Sequence, residues 1–247
     1  MFFPKGATVH IKSVTLNPDG YPTRECYPFN LPVFHHPQTI PFSTPVTLFV
    51  GENGAGKSTM LDALAHICGI HIWRDTDRSR FAHNLHEDEF QNHLTIEWTA
   101  GPVTGSFFSS GIFNQFARIL DEWAAADPGQ LQYFGGASLM TQSHGQSLMS
   151  YFRSRYRIKG LYLLDEPETA LSPRSQLDLL EILTNTSGAN QAQFIIATHS
   201  PILLACPEAV IYSFDHALIT PVRYEETAHY RIYRSFMEDR SRYVKQQ

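Results

Sequence analysis

Apolar residues along this chain follow two rhythms, one with a period of two and one with a period near 3.6. Val9 and Ile11 alternate with His10 and Lys12, which predicts a strand from Val9 to Leu16. Val46–Val50 is a short, continuous apolar and β-branched run, the pattern of a strand buried on both faces. Leu61, Leu64, Ala65 and Cys68 then recur at i, i+3, i+4 and i+7, a helix stopped by Gly69. Between these segments Pro18, Pro22, Pro28, Pro32, Pro37, Pro41 and Pro45 predict a loop-rich stretch wrapping the sheet. Leu94, Ile96 and Trp98 alternate, and Ala100-Gly101-Pro102 turns the chain into a second strand through Phe107 and Phe108. A helix is expected from Phe113 to about Ala126, ended by Asp127-Pro128-Gly129.

From Leu161 onward, strand and helix alternate. Leu161–Leu164 and Gln193–Thr198 read as buried strands, and Val210–Ser213 as a last one. Ser172-Pro173 starts a helix with a capping hydroxyl and a proline, and Leu177, Leu180 and Leu183 form its expected apolar stripe. The whole predicts an α/β fold with a mostly parallel central sheet, an antiparallel β portion and an inserted helical subdomain at about residues 70–155, within one domain over 1–247.

The strand at 46–50 runs into Gly51-Glu52-Asn53-Gly54-Ala55-Gly56-Lys57-Ser58, and a helix follows. Strand, G-x-x-x-x-G-K-[ST], helix is the phosphate-binding P-loop in its required context. Glycines let the backbone wrap a phosphate chain, and the helix N-terminus points N–H groups at it. Asn53, Gly54, Ala55, Gly56, Lys57, Ser58 and Thr59 are the expected nucleotide-binding set, with Lys57 reaching the β- and γ-phosphates and Ser58 ligating Mg²⁺. Asp165 and Glu166 close the later strand, the first placed to hold Mg²⁺ and the second to deprotonate a water. His199 closes the next strand and is positioned to stabilise charge on a γ-phosphate. Gln142-Ser143-His144-Gly145-Gln146 is a polar, glycine-containing helix start, a second device for binding an anion.

Taken in order and spacing, these motifs resemble ABC-class ATPases over residues 46–213: Walker A at Gly51–Ser58, a signature loop at Gln142–Gln146, Walker B with its glutamate at Leu161–Glu166, and a switch histidine at His199. Thr169–Ser172 resembles the D-loop. Ser143-His144-Gly145-Gln146 and the residues after it depart from the transporter pattern and are more similar to soluble heads of the SMC, RecF and overcoming-lysogenisation-defect type and to small stand-alone bacterial ATPases. The resemblance implies hydrolysis of ATP with Mg²⁺ in a head-to-tail homodimer, with Ser143, Gly145 and Gln146 reaching the partner's nucleotide. It also implies a Q-loop glutamine at the metal, for which Gln115 is the candidate, and an adenine-stacking aromatic, for which Phe29 and Phe34 are the candidates. The cycle would act as a switch on a partner protein, such as a nuclease or toxin in a defence system. A nucleic-acid clamp and a transporter's energy subunit are the alternatives.

The rest of the composition narrows little. A formal net charge of −5 argues against a constitutively basic nucleic-acid binder. Local basic clusters nevertheless exist at Arg153, Arg155, Arg157 and Lys159 and again at Arg231, Arg234, Arg240, Arg242 and Lys245. The three widely spaced cysteines, the absence of a signal-like start and the lack of a long apolar run lead to the expectation of a cytoplasmic protein without a membrane insertion. His83, His86 and His93 lie among acids at spacings that match no standard metal set.

Overall fold

The computed structural model describes residues 9–73, 86, 88–127, 129, 131, 132, 136, 138, 144–188 and 192–244. The period-two segments near the N-terminus build a small antiparallel sheet. In it β1 (Ile11–Leu16) is flanked by β2 (Gln38–Pro41) and β4 (Leu94–Trp98). The continuous apolar runs build a larger sheet with β3 (Val46–Val50), β5 (Gly105–Ser109), β6 (Gly160–Asp165), β7 (Ala192–Ala197), β8 (Val210–Ser213) and β9 (Thr220–Val222). Its order is β5-β6-β7-β3-β8-β9, parallel throughout except for the antiparallel β9 edge. All five residues of β3 and all six of β7 are buried, as strands covered on both faces must be.

Helices cover both faces. α1 (Lys57–Ile67) packs with the small sheet in one core that includes Leu16, Phe49, Leu64 and Ile195. The opposite face holds α2 (Ser110–Ala126), α3 (His144–Arg155), α4 (Pro173–Gly188) and the single turn α5 (Pro201–Leu204), around Leu48, Phe152, Tyr156, Phe194 and Leu203. A last helix, α6 (Ala228–Glu238), is capped by the buried Thr227, whose hydroxyl oxygen accepts from the Tyr230 N–H. Among the described residues no helix is long and apolar enough to cross a membrane.

Two local expectations change, and a third gains its sheet assignment. The proline-rich stretch contains a strand, β2, bracketed by Pro37 and Pro41 at a sheet edge, where a missing N–H costs no ladder bond. Both strands expected on either side of residues 100–102 form, and the structure adds that they belong to different sheets: β4 joins the small sheet and β5 the large one. The stripe on α4 is shifted, because Leu177 is exposed whereas Leu179 and Leu183 are buried.

Polar side chains join the two sheets: the Tyr212 hydroxyl on β8 donates to the Pro41 carbonyl on β2 at 2.6 Å, and Gln193 on β7 holds the start of β1. Gln193 is fully buried; its Oε1 accepts from the His10 and Ile11 backbone N–H groups at 2.8 Å each, and its Nε2 donates to the Ile11 carbonyl at 3.0 Å. The amide satisfies the end of β1 where it crosses β7.

Candidate functional site at the C-terminal edge of the parallel sheet

Strand register brings the motifs together. Phe49 pairs with Ala197, and Ala197 pairs with Asp165 on its other side. The ladder runs one residue further, since Thr198 N donates to Phe49 O at 3.1 Å and Glu166 N donates to Ala197 O at 2.9 Å. The P-loop, Asp165-Glu166 and His199 therefore leave three adjacent strands at the same level. That crevice outside the carboxyl ends is where open α/β sheets bind ligands.

The loop is built to stay open around a phosphate chain. Gly56, the residue before α1, has φ +103°, and a Cβ on it would lie 2.8 Å from Phe34 Cζ. Lys57 is buried; its Nζ donates to the carbonyls of Gly51 at 2.7 Å and Glu52 at 2.9 Å, which curls the loop around it. Burial lowers its pKa, opposed by the carboxylates of Glu166, Asp165, Asp215 and Glu52. Asp215, a residue no motif pointed to, braces the loop from β8's end by accepting from the Glu52 N–H at 2.8 Å. Beside it a cleft of about 630 Å³ opens between Glu52, Asn53, Asp215, Thr227 and Arg231.

Ser58 Oγ donates to Asp165 Oδ1 at 2.9 Å. Burial pushes the Asp165 carboxyl up to about 6, against the lowering effect of the Ser58 hydrogen bond, while the neighbouring carboxylates of Glu166 and Asp62 raise it further. A hydroxyl and a carboxylate at this separation are hard oxygen donors that fit a small divalent cation completed by phosphate and water, so a cage of three or more protein ligands is unnecessary. No such cage exists among the described residues.

Glu166 sits in the left-handed region, at φ +46° and ψ +56°, a conformation costly for a residue with a Cβ and common where function fixes the backbone. Its Oε1 lies 3.3 Å from His199 Nε2, out of line for a hydrogen bond. His199 is held from two further sides. Its backbone N–H donates to Glu168 Oε1 at 2.6 Å, and its Nδ1 lies 2.8 Å from His229 Nε2. Neither Glu168 nor His229 was singled out by the sequence. Glu168 lies in the same D-E-P-E run as Glu166, but His229 is 30 residues from His199 and belongs to no motif.

Of the signature residues, Gly145 and Gln146 lie in the first turn of α3, and Gly145 faces the Ala170 carbonyl of the turn after Glu166. Ser143 and Gln142 lie outside the described residues, as do His83 and Lys245. Gln115 is half-buried on α2, whereas the strand end level with Asp165 carries Ser109. Phe29 and Phe34 are fully buried and fill the core beside Phe90, so neither can stack on a base. The exposed aromatic at the loop is Tyr27, whose hydroxyl lies 2.7 Å from Thr59 Oγ1. His86 pairs with Glu89, and His93 packs its ring edge against Tyr21 and Phe29; neither joins a metal set.

A parallel sheet with this loop, this Ser–Asp pair and these strand-end residues has the architecture of a P-loop nucleotide-binding domain, similar to ATPase domains of the AAA/ABC kind. Comparison with known proteins agrees. A family model described as "AAA domain" matches residues 30–101, and one described as "AAA domain, putative AbiEii toxin, Type IV TA system" matches residues 129–205. The chain is 25% identical over 169 residues to the iron(3+)-hydroxamate import ATP-binding protein FhuC of Bacillus subtilis (strain 168), a match covering 62% of each. It spans less than two thirds of that relative's length. In fold it is similar to an SMC head bound to the C-winged helix domain of ScpA (13% identity, TM-score 0.54, 87% of this chain and 98% of that one). It is also similar to cbiO1 from Clostridium perfringens (16% identity, TM-score 0.51, 93% and 96%).

Proposed function

We propose that this chain binds and hydrolyses ATP with Mg²⁺ and that it closes into a head-to-tail dimer while the nucleotide is intact. The direct Ser58–Asp165 bond, with Lys57 and Glu166 on either side, is the observation that carries this reading. Lys57 exchanges two loop carbonyls for phosphate oxygens, an exchange its buried ammonium favours because charged acceptors make stronger bonds. Ser58 and Asp165 would hold the metal, which would supply positive charge against the phosphate chain. Glu166 orients and deprotonates the attacking water, and His199 Nε2 donates to the oxygen on which charge develops. With Phe29 and Phe34 buried, base stacking is assigned to Tyr27, which is exposed and lies against Thr59 at the start of α1. Gly145, Gln146 and Ser143 act across the dimer, and Gln115 remains the residue proposed to tie α2 to the metal.

The cycle acts on a partner protein. The family description that names a toxin–antitoxin system supports an effector of that kind. The import relative favours a second reading, an energy subunit for a membrane partner. A nucleic-acid clamp is less supported, because Arg234 and Arg242 of the C-terminal cluster are bonded to Glu238 and Asp239.

Glu166→Gln tests the mechanism. Wild type should release phosphate from Mg-ATP and the variant should not. Light scattering should show the variant as a dimer only with Mg-ATP. A monomer in both conditions would overturn the sandwich, and phosphate release at the wild-type rate would remove Glu166 as the base.

A further inference from the structure

The His199–His229 contact contains one proton and two nitrogens. His199 Nδ1 and His229 Nε2 are 2.8 Å apart, so one of them carries the hydrogen and the other accepts it. Were His199 Nδ1 the donor, an unprotonated Nε2 would lie 3.3 Å from Glu166 Oε1, two electron-rich atoms with no proton between them. With His229 Nε2 as donor, His199 is the Nε2–H tautomer and the positive end of its N–H dipole lies beside that carboxylate. His199 Nε2 and His229 Nδ1 are both buried without a hydrogen bond, and either arrangement leaves one of them an N–H and the other a lone pair, so the carboxylate beside His199 decides between the two.

The segment carrying His229 is fastened to the one carrying His199. The Tyr224 hydroxyl donates to the Pro201 carbonyl, two residues past His199, at 2.9 Å. Tyr224 and Tyr230 pack their rings 4.7 Å apart, and the buried Thr227 caps α6 one turn ahead. Burial, then the neighbouring His199, hold His229 below the ordinary imidazole value, so it remains neutral.

We propose that His229 is a positioning residue: by donating from Nε2 to His199 Nδ1 it fixes His199 as the Nε2–H tautomer and keeps that N–H, which no hydrogen bond uses, beside Glu166 and available to the reacting phosphate. Its role rests on the proposed ATPase reading only for its effect on rate. The tautomer itself is a property of the protein without nucleotide. Through this bond the start of α6 sets the geometry of the site edge.

The test compares wild type, His229→Gln and His229→Leu. Gln can place an N–H near the position of Nε2, and Leu cannot. Imidazole ¹⁵N–¹H spectra of nucleotide-free protein, with His199 assigned by His199→Asn, should show Nε2–H in wild type and in the Gln variant. In His229→Leu they should show a shift toward Nδ1–H or a mixture. The steady-state kcat for Mg-ATP should fall about tenfold in His229→Leu, with KM within twofold, and His229→Gln should recover most of it. An Nδ1–H tautomer in wild type overturns the proposal, as does a His229→Leu kcat equal to wild type. Should wild type show no hydrolysis, the ATPase reading fails, and the spectra still decide the tautomer.

Discussion

Replacing Gln193 by leucine should weaken this domain severely while leaving every P-loop residue in place. Gln193 is fully buried between β1 and β7, and its amide serves two donors and one acceptor of the β1 backbone. Leucine has nearly the same volume, so little cavity forms and the packing cost stays small. The loss falls on the polar groups. Each buried group left unmatched costs about 1–3 kcal/mol, so three give roughly 3–9 kcal/mol gross. Burying leucine in place of an amide returns about 1–2 kcal/mol. The net is a loss of about 1–8 kcal/mol, against total stabilities of about 5–15 kcal/mol for folded domains. In urea, with a slope of about 3 kcal/mol/M, the midpoint should fall by about 0.3–2.7 M, followed by far-ultraviolet circular dichroism. A fall below about 0.3 M at unchanged slope would mean that water or a shifted strand serves the His10 and Ile11 groups instead, and the sheet-joining role of Gln193 would be refuted.

Two further outcomes follow from the loop and its metal seat. Gly56→Ala forces a Cβ to within 2.8 Å of Phe34 Cζ at φ +103° and should cost about 2–4 kcal/mol from strain plus overpacking, with loss of fluorescent-nucleotide binding; unchanged binding would mean that the loop tolerates a side chain there. Asp165 has its carboxyl raised from 3.8 to about 6, chiefly by burial, so the fold favours its neutral form. The nucleotide-free protein therefore gives up stability from this group as pH rises from about 4 to about 6, and none beyond. A divalent cation needs the carboxylate, so Mg-ADP affinity in calorimetry should drop up to about tenfold per pH unit below 6, and Asp165→Asn should remove that dependence.

The sequence by itself determined the elements that answer to local chemistry. The continuous apolar run of β3 could only be a strand covered on both faces, and the glycine loop with Lys57 and Ser58 could only open a helix, because both patterns are written in adjacent residues. Asp165, Glu166 and His199 were legible because each lies at or within two residues of the end of a buried strand. The helix after Ser172-Pro173 was legible too, but its buried face was not: Leu179, not Leu177, meets the core, since a stripe of leucines leaves the facing angle to the neighbouring helices.

Tertiary structure decided what depends on residues far apart in the chain. Pairing put β4 and β5 in different sheets, a choice that sheet edges make and a turn at 100–102 does not. Core packing claimed Phe29 and Phe34 and left Tyr27 beside Thr59, because burial is set by what surrounds a ring and not by its type. Asp215 on the loop, Glu168 on the switch backbone and His229 on the switch ring have no motif to announce them. Each acts through one hydrogen bond whose length is fixed by the docking of β8, the turn after β6 and α6 onto a common edge. The nucleotide-facing residues are local to their strands and so can be read from the sequence; the residues that aim them are brought there only by the fold.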